Sequence, residues 1–182
     1  MHKILVVIDM QNDFLTGTLK NNEHERVIKE VINVINKGDY NELFATRDTH
    51  DESYLDTMEG KKLPVLHTQI NGWGWQIEDS IATAINNNFS NDKIHIINKP
   101  TFGSKILQST IENLATKYKE EDLLIDFCGV CTGICVISNA IPAKMYAPEA
   151  TIRVIDKACA CVTPESHIHA IEAMKTCQIE II

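Results

Sequence analysis

The sequence predicts an α/β fold, a doubly wound (Rossmann-like) parallel sheet with helices on both faces, and three observations predict it. Short continuous aliphatic runs recur along the chain, segments with helical spacing fall between them, and polar, proline or chain-end positions close the runs. Runs without apolar–polar alternation mark strands buried on both faces, and strand–helix–strand repeats close through right-handed crossovers. The first run is Ile4 to Ile8; the others are Leu43 to Thr46, Ile94 to Ile97, Leu123 to Phe127, Ile152 to Ile155 and Ile179 to Ile182. Helical spacing covers Glu25 to Asn36, Ile77 to Asn87, Lys105 to Lys117, Ile134 to Tyr146 and Glu165 to Thr176. Thr163-Pro164-Glu165-Ser166 supports the last of these: an N-cap residue, a proline in the first turn and an acid near the positive helix end. The stretch from Asp48 to Asn71 departs from the repeat. Its charges, two histidines and Gly60 read as a long ordered loop after the second strand, where sites are built.

Bulk properties narrow the function. A chain of 182 residues suits one domain, 1–182, with a single core. Its hydrophobic share of 44% and charged share of 23% are those of a folded globular protein. A net charge of −8 without a basic cluster opposes binding to nucleic acid or to an anionic membrane. No segment is apolar for long enough to span a bilayer, and the apolar run at the N-terminus is too short for an export signal. The six cysteines lie in the last third, mostly in apolar segments, a pattern that suggests reduced thiols and a cytoplasmic protein. Cys128 to Cys135 has no second pair to match it, so structural zinc on cysteines is not expected.

Three residues stand where this architecture gathers chemistry, at the carboxyl ends of strands: Asp9 after the first, Lys99 after the third and Cys135 just after the fourth. Cys135 lies in Gly129-Val130-Cys131-Thr132-Gly133-Ile134-Cys135-Val136, a turn rich in small residues that leads into a helix. A thiol at a helix N-terminus, beside a lysine, is expected to favour the thiolate. Asp9 is then placed to move protons, and turn N–H groups to hold an oxyanion. Taken singly, each residue has an ordinary structural reading, as a buried small hydrophobe, a turn cap or a solvated loop lysine. Their joint placement carries the functional one.

The segments Ile8-Asp9-Met10-Gln11-Asn12-Asp13-Phe14, Lys99-Pro100-Thr101-Phe102-Gly103-Ser104 and Gly129 to Val136 together resemble the signature segments of the isochorismatase-like cysteine hydrolase superfamily. The resemblance implies a six-stranded sheet and a catalytic triad of Asp9, Lys99 and Cys135. It also implies an oxyanion hole at Cys131 and Cys135, a cis peptide before Cys131, and homo-oligomers. Gly133 departs from it, standing where many relatives have aspartate, which questions the rigidity of the turn. Asp126 is unusual in an apolar strand and reads as lying at the crevice mouth or on a partly exposed edge.

Asp48-Thr49-His50 sets an oxygen and an imidazole ligand two apart, with His67 across the loop and Glu59 between them. Such an oxygen and nitrogen donor set suits zinc, manganese or iron. It resembles the nicotinamidase (pyrazinamidase) branch, and the resemblance implies a divalent metal on Asp48, His50 and His67, with Glu59 as fourth ligand and zinc favoured. The expected substrate is a small amide, nicotinamide, with Phe14, Tyr54 and Trp75 as pocket walls; Trp73 is a further candidate wall. No aromatic in Leu63-Pro64-Val65-Leu66 matches the one that usually precedes the second metal-binding histidine. His24, His95, His167 and His169 read as surface or core residues away from the crevice. The competing readings are a metal-independent amidase or ureide hydrolase, an idle member that binds a metabolite or partner, and, ranked below these as an enzyme, an isochorismate hydrolase.

Overall fold

The computed structural model describes residues 1–182. Six strands form one sheet: β1 (His2–Ile8), β2 (Glu42–Asp48), β3 (Ile94–Lys99), β4 (Leu123–Val130), β5 (Thr151–Ala160) and β6 (Glu180–Ile181). Their order is β3-β2-β1-β4-β5-β6 and every pairing is parallel. The expected doubly wound architecture is therefore present. Strand order reverses between β1 and β4, and a crevice opens at such a reversal, at the carboxyl ends of the strands. β1 and β4 are buried along nearly their whole length, as their aliphatic runs require, whereas the edge strand β3 is half exposed despite a similar run.

Eight α-helices accompany the sheet: α1 (Asn12–Leu15), α2 (Asn22–Arg26), α3 (Ile28–Lys37), α4 (Met58–Lys62), α5 (Asp79–Asn88), α6 (Lys105–Tyr118), α7 (Ile137–Tyr146) and α8 (Pro164–Thr176). The helix expected over Glu25 to Asn36 is instead two, divided at Val27. Val27 is fully buried and turns the chain, so that α2 directs His24 inward while α3 packs Val31 and Ile35 into the core. The helix expected from Ile134 begins as a π-helical turn, Thr132–Val136, before α7. The last strand is shorter than expected, because the Ile179 N–H turns back to the Met174 carbonyl. The loop after β2 is ordered, with a 3-10 turn (Tyr54–Asp56) ahead of α4.

Register sets the site. Asp48 at the end of β2 lies opposite Lys99 at the end of β3, and Ile8 lies opposite Gly129 of β4. Gly129 has φ +118°, and a β-carbon there would sit 2.1 Å from the Ile8 carbonyl oxygen, so only glycine lets β4 run this close to β1. Asp126 departs from expectation. It is buried mid-strand, its carboxylate bonded by Arg153 Nε at 2.7 Å and Nη2 at 2.8 Å and by the Tyr40 hydroxyl at 2.6 Å. A carboxylate in a central strand needs such saturation to be kept out of water.

Candidate active site

Asp9 follows β1 with φ 49°, a left-handed conformation that aspartate tolerates better than most residues. Its Oδ1 accepts from the Thr46 hydroxyl at 2.6 Å, and its Oδ2 lies 2.6 Å from Lys99 Nζ. That second contact is an ion pair without hydrogen-bond geometry, which leaves Oδ2 capacity for another proton. Lys99 Nζ also lies 3.5 Å from Cys135 Sγ and 3.5 Å from Asp48 Oδ1. The sheet thus brings Asp9, Lys99 and Cys135 together, at relative exposures of 0%, 1% and 7%.

Burial works against the charge on Lys99, but Asp9, Cys135 and Asp48 outweigh it and hold the ammonium well above its usual range. Burial raises the Asp9 carboxyl, with Lys99 opposing. Burial, and then the Asp9 charge, push the Cys135 thiol well above its ordinary value, with Lys99 pulling the other way. Burial and the Asp9 charge thus oppose the thiolate that a helix terminus and a lysine favour. Cys135 sits inside the π turn ahead of regular helix, in a dry site beside a carboxylate, and needs a proton acceptor before it can act.

The surrounding motif residues hold this arrangement. The Gln11 side chain brackets Asp48, donating to its carbonyl at 2.9 Å and accepting from its N–H at 2.7 Å. Asp13 Oδ2 accepts from the Thr68 N–H at 2.7 Å, fixing the chain next to His67. Buried Asn139 on α7 bonds the Cys135 carbonyl at 2.7 Å, the Ser104 N–H at 2.9 Å and the Phe102 carbonyl at 3.0 Å, which ties the Lys99 to Ser104 segment to the nucleophile turn. The Val130–Cys131 peptide is cis. At Gly133 a β-carbon would sit 3.3 Å from Cys161 Sγ and 3.4 Å from Ala170 Cβ, so the turn packs against α8 where an aspartate would be crowded.

Asp48, His50 and His67 present ligand atoms that all lie within 4.8 Å of one another, and all three residues are buried. His67 Nδ1 lies 2.7 Å from the Val65 carbonyl, which only accepts; Nδ1 therefore carries the proton and Nε2 offers its lone pair to the cluster. His50 Nε2 is 3.0 Å from Asp48 Oδ2 but is buried without a hydrogen-bond partner. Burial favours a neutral Asp48, yet His50 and His67 hold its carboxyl below the usual range, so it supplies an anionic oxygen. An unsatisfied buried imidazole beside a carboxylate and a second oriented imidazole fits a divalent metal. Glu59 stands further out, its Oε1 3.7 Å from His50 Nε2.

A cavity of about 410 Å³ is lined by Cys135 of the first group and by Asp48 and His67 of the second, with Asp9, Lys99 and His50 behind its wall. Cys131, Ile134 and Cys135 line it from the nucleophile turn, and Asp48, Glu59, Leu63 and His67 from β2 and its loop. Phe14, His24 and Phe102 also line it. Two expected walls are elsewhere. Trp75 is buried under the Arg47 guanidinium, 3.5 Å from its ring centroid, and donates to Thr49 Oγ1 at 2.8 Å. Tyr54 packs behind the cavity on the His50 and His67 rings, at centroid distances of 4.3 and 5.0 Å, with its hydroxyl on the Leu63 carbonyl. Trp73 is exposed. His24, read from sequence as lying away from the crevice, lines the cavity; only the break at Val27 directs it there. Phe102 belongs to a motif quoted for Lys99, and its neighbourhood was its only sequence signal.

Residues 3–182 match the Isochorismatase domain family. The chain belongs to that family and is by family an isochorismatase-like hydrolase. Its fold is similar to that of the pyrazinamidase/nicotinamidase of Streptococcus mutans (TM-score 0.82, 23% identity, 99% of each chain covered). The nicotinamidase/pyrazinamidase of Bacillus subtilis gives TM-score 0.80 at 21% identity, over 100% of this chain and 99% of that one. The pyrazinamidase of Pyrococcus horikoshii, solved in complex with zinc, gives 0.78 at 22% identity, over 100% and 99%. Comparison with curated proteins finds no match.

Proposed function

We propose that this isochorismatase-like hydrolase converts nicotinamide to nicotinate and ammonia, with Cys135 as nucleophile, Asp9 as proton carrier and Lys99 as a fixed positive charge. One observation carries the reading: Asp48 touches both Lys99 of the Asp9, Lys99 and Cys135 group and the two histidines His50 and His67, and Cys135, Asp48 and His67 line one cavity. The nicotinamidase and pyrazinamidase fold neighbours support the same substrate class.

The chemistry follows from the resting protonation. Asp9 takes the Cys135 proton, and the sulfur attacks the carboxamide carbon, moving the C=O electron pair onto oxygen. Backbone N–H groups of Cys131 and Cys135 hold that oxyanion, while Lys99 balances the charge passing between Asp9 and the sulfur. Asp9 returns the proton to nitrogen, the C–N bond breaks and ammonia leaves a thioester. Asp9 then takes a proton from water, whose oxygen attacks the thioester carbon; the C–S bond breaks, Asp9 passes that proton to the sulfur to restore the thiol, and the acid loses its remaining proton to solvent as nicotinate. Asp48, His50 and His67, with Glu59 as fourth donor, would hold a divalent metal, zinc before manganese or iron. When bound it supplies a Lewis-acidic point for the pyridine nitrogen. Phe14 and Phe102 provide flat apolar surface for the ring.

The test is ammonia release from nicotinamide by the purified protein, as isolated, after a chelator, and with zinc, manganese and iron restored singly. The expected outcome is release that the chelator abolishes and one of these metals restores. Full release after complete metal removal would replace this reading with a metal-independent amidase, and no release from nicotinamide under any condition would remove the substrate.

A further inference from the structure

Two consecutive residues of the nucleophile turn are each gripped by a histidine that the chemistry above does not use. The Cys131 sulfur lies 3.2 Å from His24 Nε2, and His24 Nδ1 lies 3.1 Å from the Phe14 carbonyl. The Thr132 hydroxyl, fully buried, lies 2.8 Å from His167 Nδ1, and His167 Nε2 lies 2.9 Å from Asp156 Oδ1. A carbonyl and a carboxylate only accept, so each ring places its N–H on the anchor and keeps a lone pair for the turn. The Cys131 thiol and the Thr132 hydroxyl are then the donors. The two rings come from different elements, α2 and α8.

We propose that His24 and His167 are positioning residues that clamp the nucleophile turn, with Asp156 as the anchor of His167. For the step it serves, the clamp rests on the amide-hydrolase reading above. Asn139 holds the turn at the Cys135 carbonyl, whereas Gly133, between the two proposed oxyanion donors Cys131 and Cys135, has no side chain to bond, so the Cys131–Thr132 end depends on the two histidines. A shift of the turn moves those N–H groups and the sulfur together, and a misplacement of about 1 Å can cost on the order of 100-fold in rate. His167 is not among the residues lining the cavity, so its removal is expected to act on kcat rather than on substrate affinity. His24 lines the cavity and its variants mix the two effects, which makes His167 the cleaner test.

The experiment compares wild type with His167→Ala, His167→Asn, Asp156→Ala and, as a control on the same helix, His169→Ala. It reads kcat and KM for nicotinamide, the rate of Cys135 alkylation by iodoacetamide followed by peptide mass spectrometry, and the melting temperature. For His167→Ala, kcat is expected to fall about 10- to 100-fold with KM within about twofold, and alkylation to slow several-fold. His167→Asn, which keeps a polar atom near the Nδ1 position, is expected to recover most of both rates, Asp156→Ala to lose several-fold in kcat, and His169→Ala to match wild type. A folded His167→Ala protein with wild-type kcat and alkylation rate overturns the proposal, as does a folded His167→Asn protein no better than the alanine variant. Should His167→Ala not fold, Asp156→Ala decides: wild-type rates there overturn the clamp. Alkylation needs no substrate, so if the wild type hydrolyses no amide the functional reading fails while the clamp is still judged.

Discussion

Two of the buried aspartates paired to cations at the sheet, Asp126 and Asp9, do opposite things. Asp126, in the middle of β4, has both oxygens bonded, by the two nitrogens of Arg153 and by Tyr40. Asp9, just past the end of β1, has one oxygen bonded to Thr46 and the other against Lys99 without hydrogen-bond geometry. Arginine presents a planar fork that matches a carboxylate and saturates it; lysine presents a point charge that also reaches Cys135 and Asp48. A carboxylate with both oxygens held by a forked guanidinium and a hydroxyl is structural. An unsaturated one at a strand end, beside a thiol, can accept a proton and give it back. Burial and charge are shared by the two sites, so neither identifies the functional one; the unfilled hydrogen-bond capacity does.

The comparison can be broken at either end. The largest expected effect is Asp9→Asn, which keeps shape and removes the proton carrier: kcat/KM for the amide substrate falls by about 10²- to 10⁴-fold with the fold retained, measured by ammonia release and far-UV circular dichroism. Activity within tenfold of wild type would mean that another group carries the proton. Next, Asp126→Ala removes the buried acceptor of half-buried Arg153 and of Tyr40 and is expected to cost about 2–3 kcal/mol of unfolding free energy by urea titration, while kcat per folded molecule stays near wild type. A large loss of kcat at full stability would show that the two aspartates are not separable in this way. The smallest effect tests a corrected wall: Trp75→Phe removes one hydrogen bond to Thr49, worth about 1 kcal/mol, and leaves KM for nicotinamide unchanged. A several-fold rise in KM would restore Trp75 to the pocket.

Legibility followed the range of the physical signal. The strand cores of β1, β2 and β4 were readable because an aliphatic run reports burial on both faces directly, and the start of α8 because Thr163 caps it locally, accepting from the Ser166 N–H at 3.1 Å. Asp9, Lys99, Cys135 and the Asp48, His50 and His67 set were nameable because they end strands or sit in ordered motifs. Tyr54 and Trp75 were misplaced because an aromatic side chain packs equally well into core or cavity, and nothing within a few residues of it distinguishes the two. What opposes a Cys135 thiolate was hidden for a related reason: a helix terminus is visible in sequence, whereas burial and an Asp9 charge arriving from another strand are not.

By itself the sequence determined which segments are strands and helices, which strand ends carry reactive side chains, and which chemistry that set of types permits, since these depend on neighbours along the chain. Only the tertiary structure decided that Asp48 faces Lys99 across a strand pair, that Asp126 is sealed by Arg153 and Tyr40, and that His24 and His167 reach one turn from different helices. Those contacts join residues 27 to 107 positions apart. Strand order, register and the helix break at Val27 set such distances, and all three are properties of the whole packed sheet rather than of any local run.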